Sequence, residues 1–252
     1  MKKLNSLIKY IGLFKTWLVP AFARYFGQFM PKTVLLSFRD GRKIAFRPSS
    51  DHVALGEIFV AEGYKLCNSV PNDVTEIWDI GGNIGAFVIW ASKLFPDAGF
   101  TSFEPCPDTF EILKNTQINN PKIRWETASF GLSSKNEMCV AYVPHGHYGE
   151  TSRYAVSGKK VEFELKAIDD YWIAKGSPRI HLLKIDCEGG EYAILEGCSE
   201  KLLSNIDFII MEIHPIVGHN PEAIRHKLER AGFSCKWFSG PQGVVFAVRQ
   251  DR

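Results

Sequence analysis

Residues 1–39 contain no aspartate or glutamate. The chain also lacks any long apolar run: its longest uncharged stretch, Ile80–Ser92, is broken by three glycines and an asparagine. A membrane-crossing helix needs roughly 18 or more apolar residues, so none is expected. The six cysteines (Cys67, Cys106, Cys139, Cys187, Cys198, Cys235) form no C-x-x-C pair and have no histidine at metal-ligand spacing. That excludes a disulfide scaffold and a zinc ribbon, predicts no metal, and points to reduced thiols in a cytoplasmic protein. Internal repeats and low-complexity segments are missing too. What remains is ordinary globular composition, 45% hydrophobic and 23% charged over 252 residues. This is enough chain for one large domain or two small ones. A net charge of only +2 argues neither for nor against nucleic acid, and no nucleic-acid partner is expected.

The missing acids at the N-terminus leave Lys2, Lys3, Lys9, Lys15, Arg24, Lys32 and Arg39 uncompensated in sequence. At about 100° per residue, Leu4, Leu7, Ile8, Ile11, Phe14 and Leu18 share a helical face. Lys15 intrudes on that side, and Pro20 is expected to end or kink the helix. Lysines interrupt the run too often for a secretory signal. Residues 1–33 therefore read as a basic amphipathic segment with two candidate roles. One is peripheral contact with the inner face of a membrane; the other is a helical arm packing on the protein or on a second subunit. Homo-oligomerisation stays open.

Residues 34–76 change period. "TVLLSFRDGRKIAFRP" predicts a hairpin about Asp40-Gly41, and "DHVALGEIFVAEGY" a short helix capped by Asp51 and stopped near Gly63. From residue 77 to 252 strands and helices alternate. "EIWDI", "GFTSFE", "IRWETAS", "HLLKID" and "DFIIMEI" are apolar strand cores, with helices between them and a terminal hairpin about Gly240-Pro241. Between Met138 and Asp169 a β-excursion with a loop carrying His145, His147 and Tyr148 interrupts the rhythm. That loop is expected to cover a substrate rather than bind a metal. The fold class is α/β: a doubly wound, mostly parallel, seven-stranded Rossmann-like sheet with an antiparallel terminal hairpin.

In such sheets ligands bind beyond the carboxyl ends of the strands, at the switch point. Five strand ends carry candidates: Asp79 to Gly85, Glu104, Ala128-Ser129, Asp186 to Glu188, and Glu212 to His214. The turn "DIGGNIG" allows close approach of backbone N–H groups to a ligand. It fails the dinucleotide pattern G-x-G-x-x-G, because Asn83 and Ala86 stand at the second and third glycine positions; a nicotinamide-dependent oxidoreductase is the disfavoured rival. Asp79 suits a cationic end, and Glu104 can accept from both hydroxyls of a ribose. A ligand with a ribose, a positive end and no phosphate fits S-adenosylmethionine. Asp186, Glu188, Glu212 and His214 are candidates for the general base that an alcohol acceptor needs. His214 is preferred for its ordinary pKa of about 6.5, and Asp186 is a candidate for the cofactor's amino group. Lys184 is expected to point away from the site and pair with an acid, and Cys187 to be a small filler.

"DIGGNIGAFVIWAS", "FEPCPDTFEILKNT", "LLKIDCEGGEYAILEG" and "IIMEIH", in this order, resemble the motifs of the FkbM family of S-adenosylmethionine-dependent methyltransferases. The resemblance runs from about Leu36 to Val248. It implies a cofactor lying across Asp79, Gly81, Asn83, Gly85 and Glu104, with Ser129 near the adenine. It also implies O-methylation of a hydroxylated glycan, glycolipid or related small molecule. A non-catalytic adaptor that keeps the fold is the other alternative; the acids at five strand ends argue against it.

Overall fold

The computed structural model describes residues 2–61, 63–143, 158–238 and 243–250. Helices α1 (Lys2–Leu13) and α2 (Leu18–Phe26) lead into the hairpin β1 (Val34–Ser37) and β2 (Lys43–Phe46). Helix α3 (His52–Leu55) then runs into a π-helical turn over Gly56–Val60, and a 3-10 turn follows at Lys65–Ser69. Next come β3 (Glu76–Ile80), α4 (Ala86–Leu94), β4 (Gly99–Phe103), α5 (Pro107–Ile118) and β5 (Arg124–Ala128). An inserted three-stranded sheet of β6 (Gly131–Ser133), β7 (Glu137–Val143) and β8 (Lys159–Ala167) precedes α6 (Ile168–Ala174). The chain closes with β9 (Ile180–Ile185), α7 (Glu191–Gly197), α8 (Glu200–Ser204), β10 (Ile206–Ile213), α9 (Pro221–Arg230), β11 (Phe233–Phe238) and β12 (Gly243–Arg249).

Seven of these strands form one sheet in the order β11-β12-β10-β9-β3-β4-β5. Strands β10, β9, β3, β4 and β5 run parallel, and β12 and β11 close the edge antiparallel. The winding reverses between β3 and β9, so their carboxyl ends flank the switch-point crevice. Alternation along each strand sorts side chains onto two buried faces. Ile77, Leu182, Phe208 and Ile210 join the core with α4 and α5, while Trp78, Leu183, Ile209 and Met211 join the core with α6 to α9. Continued toward the carboxyl ends, the first parity carries Asp79, Lys184 and Glu212, and Asp186 just past β9, to one side of the crevice.

Several local expectations hold for their stated reasons. Pro107 opens α5, Asn220 caps α9 by accepting from the Glu222 N–H, and Gly232 follows that helix with φ 89°. Others are corrected. The expected single N-terminal helix breaks at Phe14, whose backbone forms a β-bridge with Phe38 and whose ring is fully buried against Phe38 and Phe59. Pro20 lies inside the first turn of α2, where its missing N–H has no helical acceptor to lose. The packed side of the arm is Tyr10, Leu13, Phe14 and Trp17, whereas Ile8, Ile11 and Leu18 face outward. Asp51 caps no helix: its carboxylate accepts from the Arg47 backbone N–H and Nε, at 2.8 and 2.9 Å. His145, His147 and Tyr148 lie outside the described residues.

Candidate active site

Parallel register places three polar residues side by side beneath the glycine turn. Asp79 is the register partner of Ser102 on β4 and of Lys184 on β9. Ser102 Oγ donates to Asp79 Oδ2 at 2.9 Å, and Lys184 Nζ lies 3.0 Å from Asp79 Oδ1. Lys184 also donates to the carbonyl of Gly81 at 2.7 Å and sits 3.8 Å from Asp186 Oδ2. Burial opposes the charge on Lys184, but Asp79 and Asp186 outweigh it and hold the ammonium protonated. The expectation that Lys184 points away from the site is thus corrected: it pairs with acids, and it does so directly under the turn. Asp79 is fully buried at the floor of the site, its Oδ2 held by Ser102 and its Oδ1 facing the Lys184 ammonium at 3.0 Å without a hydrogen bond.

The turn itself is shaped by three residues with positive φ: Gly81 at 79°, Asn83 at 47° and Gly85 at 85°. A Cβ on Gly81 would stand 1.7 Å from the Asp186 carbonyl oxygen, so only glycine lets the two strand ends meet. At Gly85 a Cβ would strike the Trp125 ring at 2.5 Å. Asn83 tolerates the left-handed region better than most residues. Its backbone N–H donates to Glu104 Oε2 at 3.0 Å, and the Cys106 N–H donates to Glu104 Oε1 at 2.9 Å. Each Glu104 oxygen thereby keeps one lone pair, and the side chain keeps slight exposure at 8%. Burial raises its carboxyl to about 7, partly opposed by the two backbone donors. Asn83 Oδ1 is buried without a hydrogen-bond partner, an acceptor awaiting a donor.

Across the crevice a second cluster is made of side chains. Asp186 Oδ2 accepts from the Tyr64 hydroxyl at 3.1 Å, and the Tyr64 ring packs edge-on against Phe87. Burial, then the charges of Asp186 and Glu212, push the Tyr64 phenol well above its ordinary value. Half-buried Glu212 is pushed up to about 7 by burial and by Asp186, with His214 pulling the other way. His214 Nδ1 lies 2.9 Å from Glu191 Oε1, and Nε2 lies 3.5 Å from Glu188 Oε2. Burial disfavours the imidazolium, yet Glu191, Glu188 and Asp186 together raise it to about 9. At neutral pH His214 is therefore a cation between carboxylates. Cys187 keeps its proton through burial and the neighbouring Glu191, so it is no nucleophile.

Sequence reasoning passed over Glu191 and Tyr64. Glu191 is wholly buried, and its Oε1 also accepts from the backbone N–H groups of Cys187 and Gly189, at 3.0 and 3.2 Å. This ties down the loop in which Glu188 adopts φ 51° and Gly189 103°. An acid opening a helix just after a glycine pair was the available signal. Ser129, by contrast, is exposed beyond β5. A cleft between the carboxyl ends of β3 and β4 and the inserted sheet is lined nearby by Gly131, Leu132 and Ser133. Its other walls include Gly81, Phe103, Phe163, Leu165 and Cys187.

A doubly wound sheet, a glycine turn at its switch point and a clamped acid after the next strand define a nucleoside-cofactor enzyme of the Rossmann-like methyltransferase class. Comparison with known proteins makes this specific. The Methyltransferase FkbM domain matches residues 79–235, and the chain belongs to that family. It is an S-adenosylmethionine-dependent methyltransferase. Methyltransferase sdnD of Sordaria araneosa is 28% identical over 232 residues, covering 77% of this chain and 88% of that one. Methyltransferase 1 of Beauveria bassiana is 25% identical over 71% of this chain and 79% of its own. Hexuronic acid methyltransferase AglP of Haloferax volcanii is 30% identical over 64% of each chain.

Proposed function

We propose that the protein transfers a methyl group to a hydroxyl of a glycan, glycolipid or related small-molecule acceptor. The observation that carries the cofactor half is Glu104: a carboxylate fixed by the N–H groups of Asn83 and Cys106, with one lone pair left on each oxygen. Two such acceptors suit the vicinal hydroxyls of a ribose, and the buried, unpartnered Asn83 Oδ1 suits a further donor. Gly81 and Gly85 bring the backbone close, and Asp186 faces the positive end of the ligand. Bound there, S-adenosylmethionine supplies a methyl group activated by its sulfonium. The similarity to a hexuronic acid methyltransferase supports an acceptor rich in hydroxyls.

The acceptor hydroxyl must lose its proton as it attacks, and an efficient base combines a useful unprotonated fraction with a proton affinity near neutral pH. Of the expected candidates, Glu212 meets that condition, with a carboxyl at about 7. His214, raised to about 9, is charged and instead holds Glu188 and Glu191 while lowering Glu212. Glu212 thus takes the proton, Asp186 orients the cofactor, and His214 sets the electrostatics. Most of the acceleration comes from holding two reactants in line.

The test is to incubate the protein with methyl-labelled S-adenosylmethionine and uronic-acid oligosaccharides, free and lipid-linked, and to locate the label by mass spectrometry. Label on a sugar hydroxyl or carboxyl oxygen separates O-transfer to hydroxyl from ester formation. Saturable NAD binding by calorimetry, with none of S-adenosylhomocysteine, would overturn the reading.

A further inference from the structure

Helix α2 and the turn after it carry Leu18, Phe22, Tyr25, Phe26 and Phe29, spaced as one helical stripe. All five are exposed, from 46% at Phe22 to 79% at Phe29. The opposite stripe, Pro20, Ala23 and Gly27, is buried. Gly27 approaches the main chain of Pro48 so closely that a Cβ would stand 2.2 Å from its carbonyl oxygen. The helix is therefore seated firmly by one side while presenting aromatic and aliphatic groups outward. Ile8 and Ile11 of α1 are exposed as well, at 58% and 38%. A monomer rarely displays a contiguous apolar surface of this kind without an occupant.

Along the chain, the charge flanking the stripe is of one sign. Lys15 and Lys32, at either end of it, are exposed, and no acid occurs before Asp40. A two-fold contact between copies would set this basic surface against itself. An anionic bilayer complements both features at once: the aromatics enter the headgroup and acyl boundary, and the lysines meet lipid phosphate. No helix among the described residues is long and apolar enough to cross a membrane, so the contact is one of lying on the surface. We infer that α2 with its following turn is a docking surface for anionic lipid bilayers.

The position of α2 links docking to the site. It packs on α3, which continues into the turn carrying Glu57, and the charge of Glu57 bears on Glu212. On its other side Gly27 abuts Pro48, next to Arg47, whose charge bears on Glu104. A docked α2 keeps the site near the lipid surface, where an acceptor with a lipid tail is presented; that last step rests on the hydroxyl-acceptor reading above, while docking itself does not.

Full-length protein should co-float with vesicles of phosphatidylcholine and phosphatidylglycerol but not with phosphatidylcholine alone, and raised salt should release it. The combined Phe26→Ser and Phe29→Ser variant should lose about tenfold or more in vesicle binding with an unchanged melting temperature, since both rings are exposed. Lys15→Glu with Lys32→Glu should weaken binding to a similar degree. Absence of flotation on anionic vesicles, flotation that the phenylalanine variant leaves intact, or a light-scattering dimer that this variant dissolves would each overturn the proposal. Because lipid binding is read without turnover, its failure is separate from failure to methylate a hydroxyl.

Discussion

Around Glu104 the site is built from main chain: N–H groups of Asn83 and Cys106 fix the carboxylate, and glycines at 81 and 85 set the approach. Around Glu212 and His214 it is built from side chains contributed by three separated segments, with Tyr64, Asp186, Glu188 and Glu191 completing the set. The first side is a shape stored in a short stretch of sequence, as binding a constant cofactor demands. The second is a balance of charges, in which Lys184 and His214 are cations and the carboxylates share them. The difference teaches where each task is set: geometry on the β4 side, proton affinity on the β10 side.

The sharpest way to break that division is Glu212→Gln. Removing the group proposed to take the hydroxyl proton should lower kcat about 10²–10⁴-fold while S-adenosylhomocysteine affinity stays nearly unchanged. The acid limb of the wild-type rate profile, expected near pH 7 from the Glu212 carboxyl, should vanish. Single-turnover rates against pH, with calorimetry beside them, check both halves. Retained turnover in this variant would remove Glu212 from the mechanism.

Glu104→Ala tests the other side. Two backbone donors and the ribose hydroxyls lose their acceptor, so cofactor affinity should fall by about 1–3 kcal/mol, roughly 5- to 150-fold. The position of the pH limb should not move, because Glu212, the proposed base, lies across the crevice. Calorimetric titration with S-adenosylhomocysteine reads the first effect, and rates at saturating cofactor read the second.

How much of this was legible in the sequence follows the same division. The strand cores, the glycine turn, Glu104 and the helix starts at Pro107 and Asn220 are local patterns, and they were readable. The break at Phe14 was not, because it depends on a bridge to Phe38, distant in sequence. Helix α6 also escaped: with only seven residues it is held by the burial of Ile168 and Trp172 rather than by a periodic pattern. In the site, strand ends located the acids, but the register that sets Asp79 between Ser102 and Lys184 exists only between strands. The imidazole's ordinary pKa made His214 look like the base. Three carboxylates converging on it raise its proton affinity, which is why the proposed base is Glu212 instead, and no spacing in the chain announces them.

His214→Gln separates the two roles. Loss of the cation should shift the Glu212 limb to higher pH rather than abolish it, since His214 lowers Glu212 in the intact site. Stability should also fall, by about 1–2 kcal/mol at low pH, because Glu188 and Glu191 lose a charged partner. The folded-state value, raised from 6.5 to about 9, makes this stabilisation fully present below pH 6.5 and lost as pH rises through 9. Melting curves of the two proteins should therefore converge as pH increases. A rate profile whose acid limb disappears would instead mark His214 as the base.

The smallest expected effect belongs to Tyr64→Phe, and it probes whether the segment before β3 takes part in the site. The Tyr64 ring is held by Phe87, with centroids 5.0 Å apart, and by Trp90 at 6.4 Å, so phenylalanine should keep the packing. Only the hydroxyl that donates to Asp186 Oδ2 is removed. Asp186 then retains Lys184, 3.8 Å away, but loses the neutral donor that fixes its orientation. If Asp186 receives the positive end of the cofactor, affinity should fall by about 0.5–1.5 kcal/mol, roughly 2- to 13-fold. The pH limb should stay where it is, because neither Glu212 nor His214 has lost a contact. Equal affinity in variant and wild type would confine Tyr64 to packing and leave Asp186 oriented by Lys184 alone. A shifted limb would instead show that the phenol shapes the proton affinity of the carboxylates across the crevice, and that the two sides of the site are coupled through this one hydroxyl.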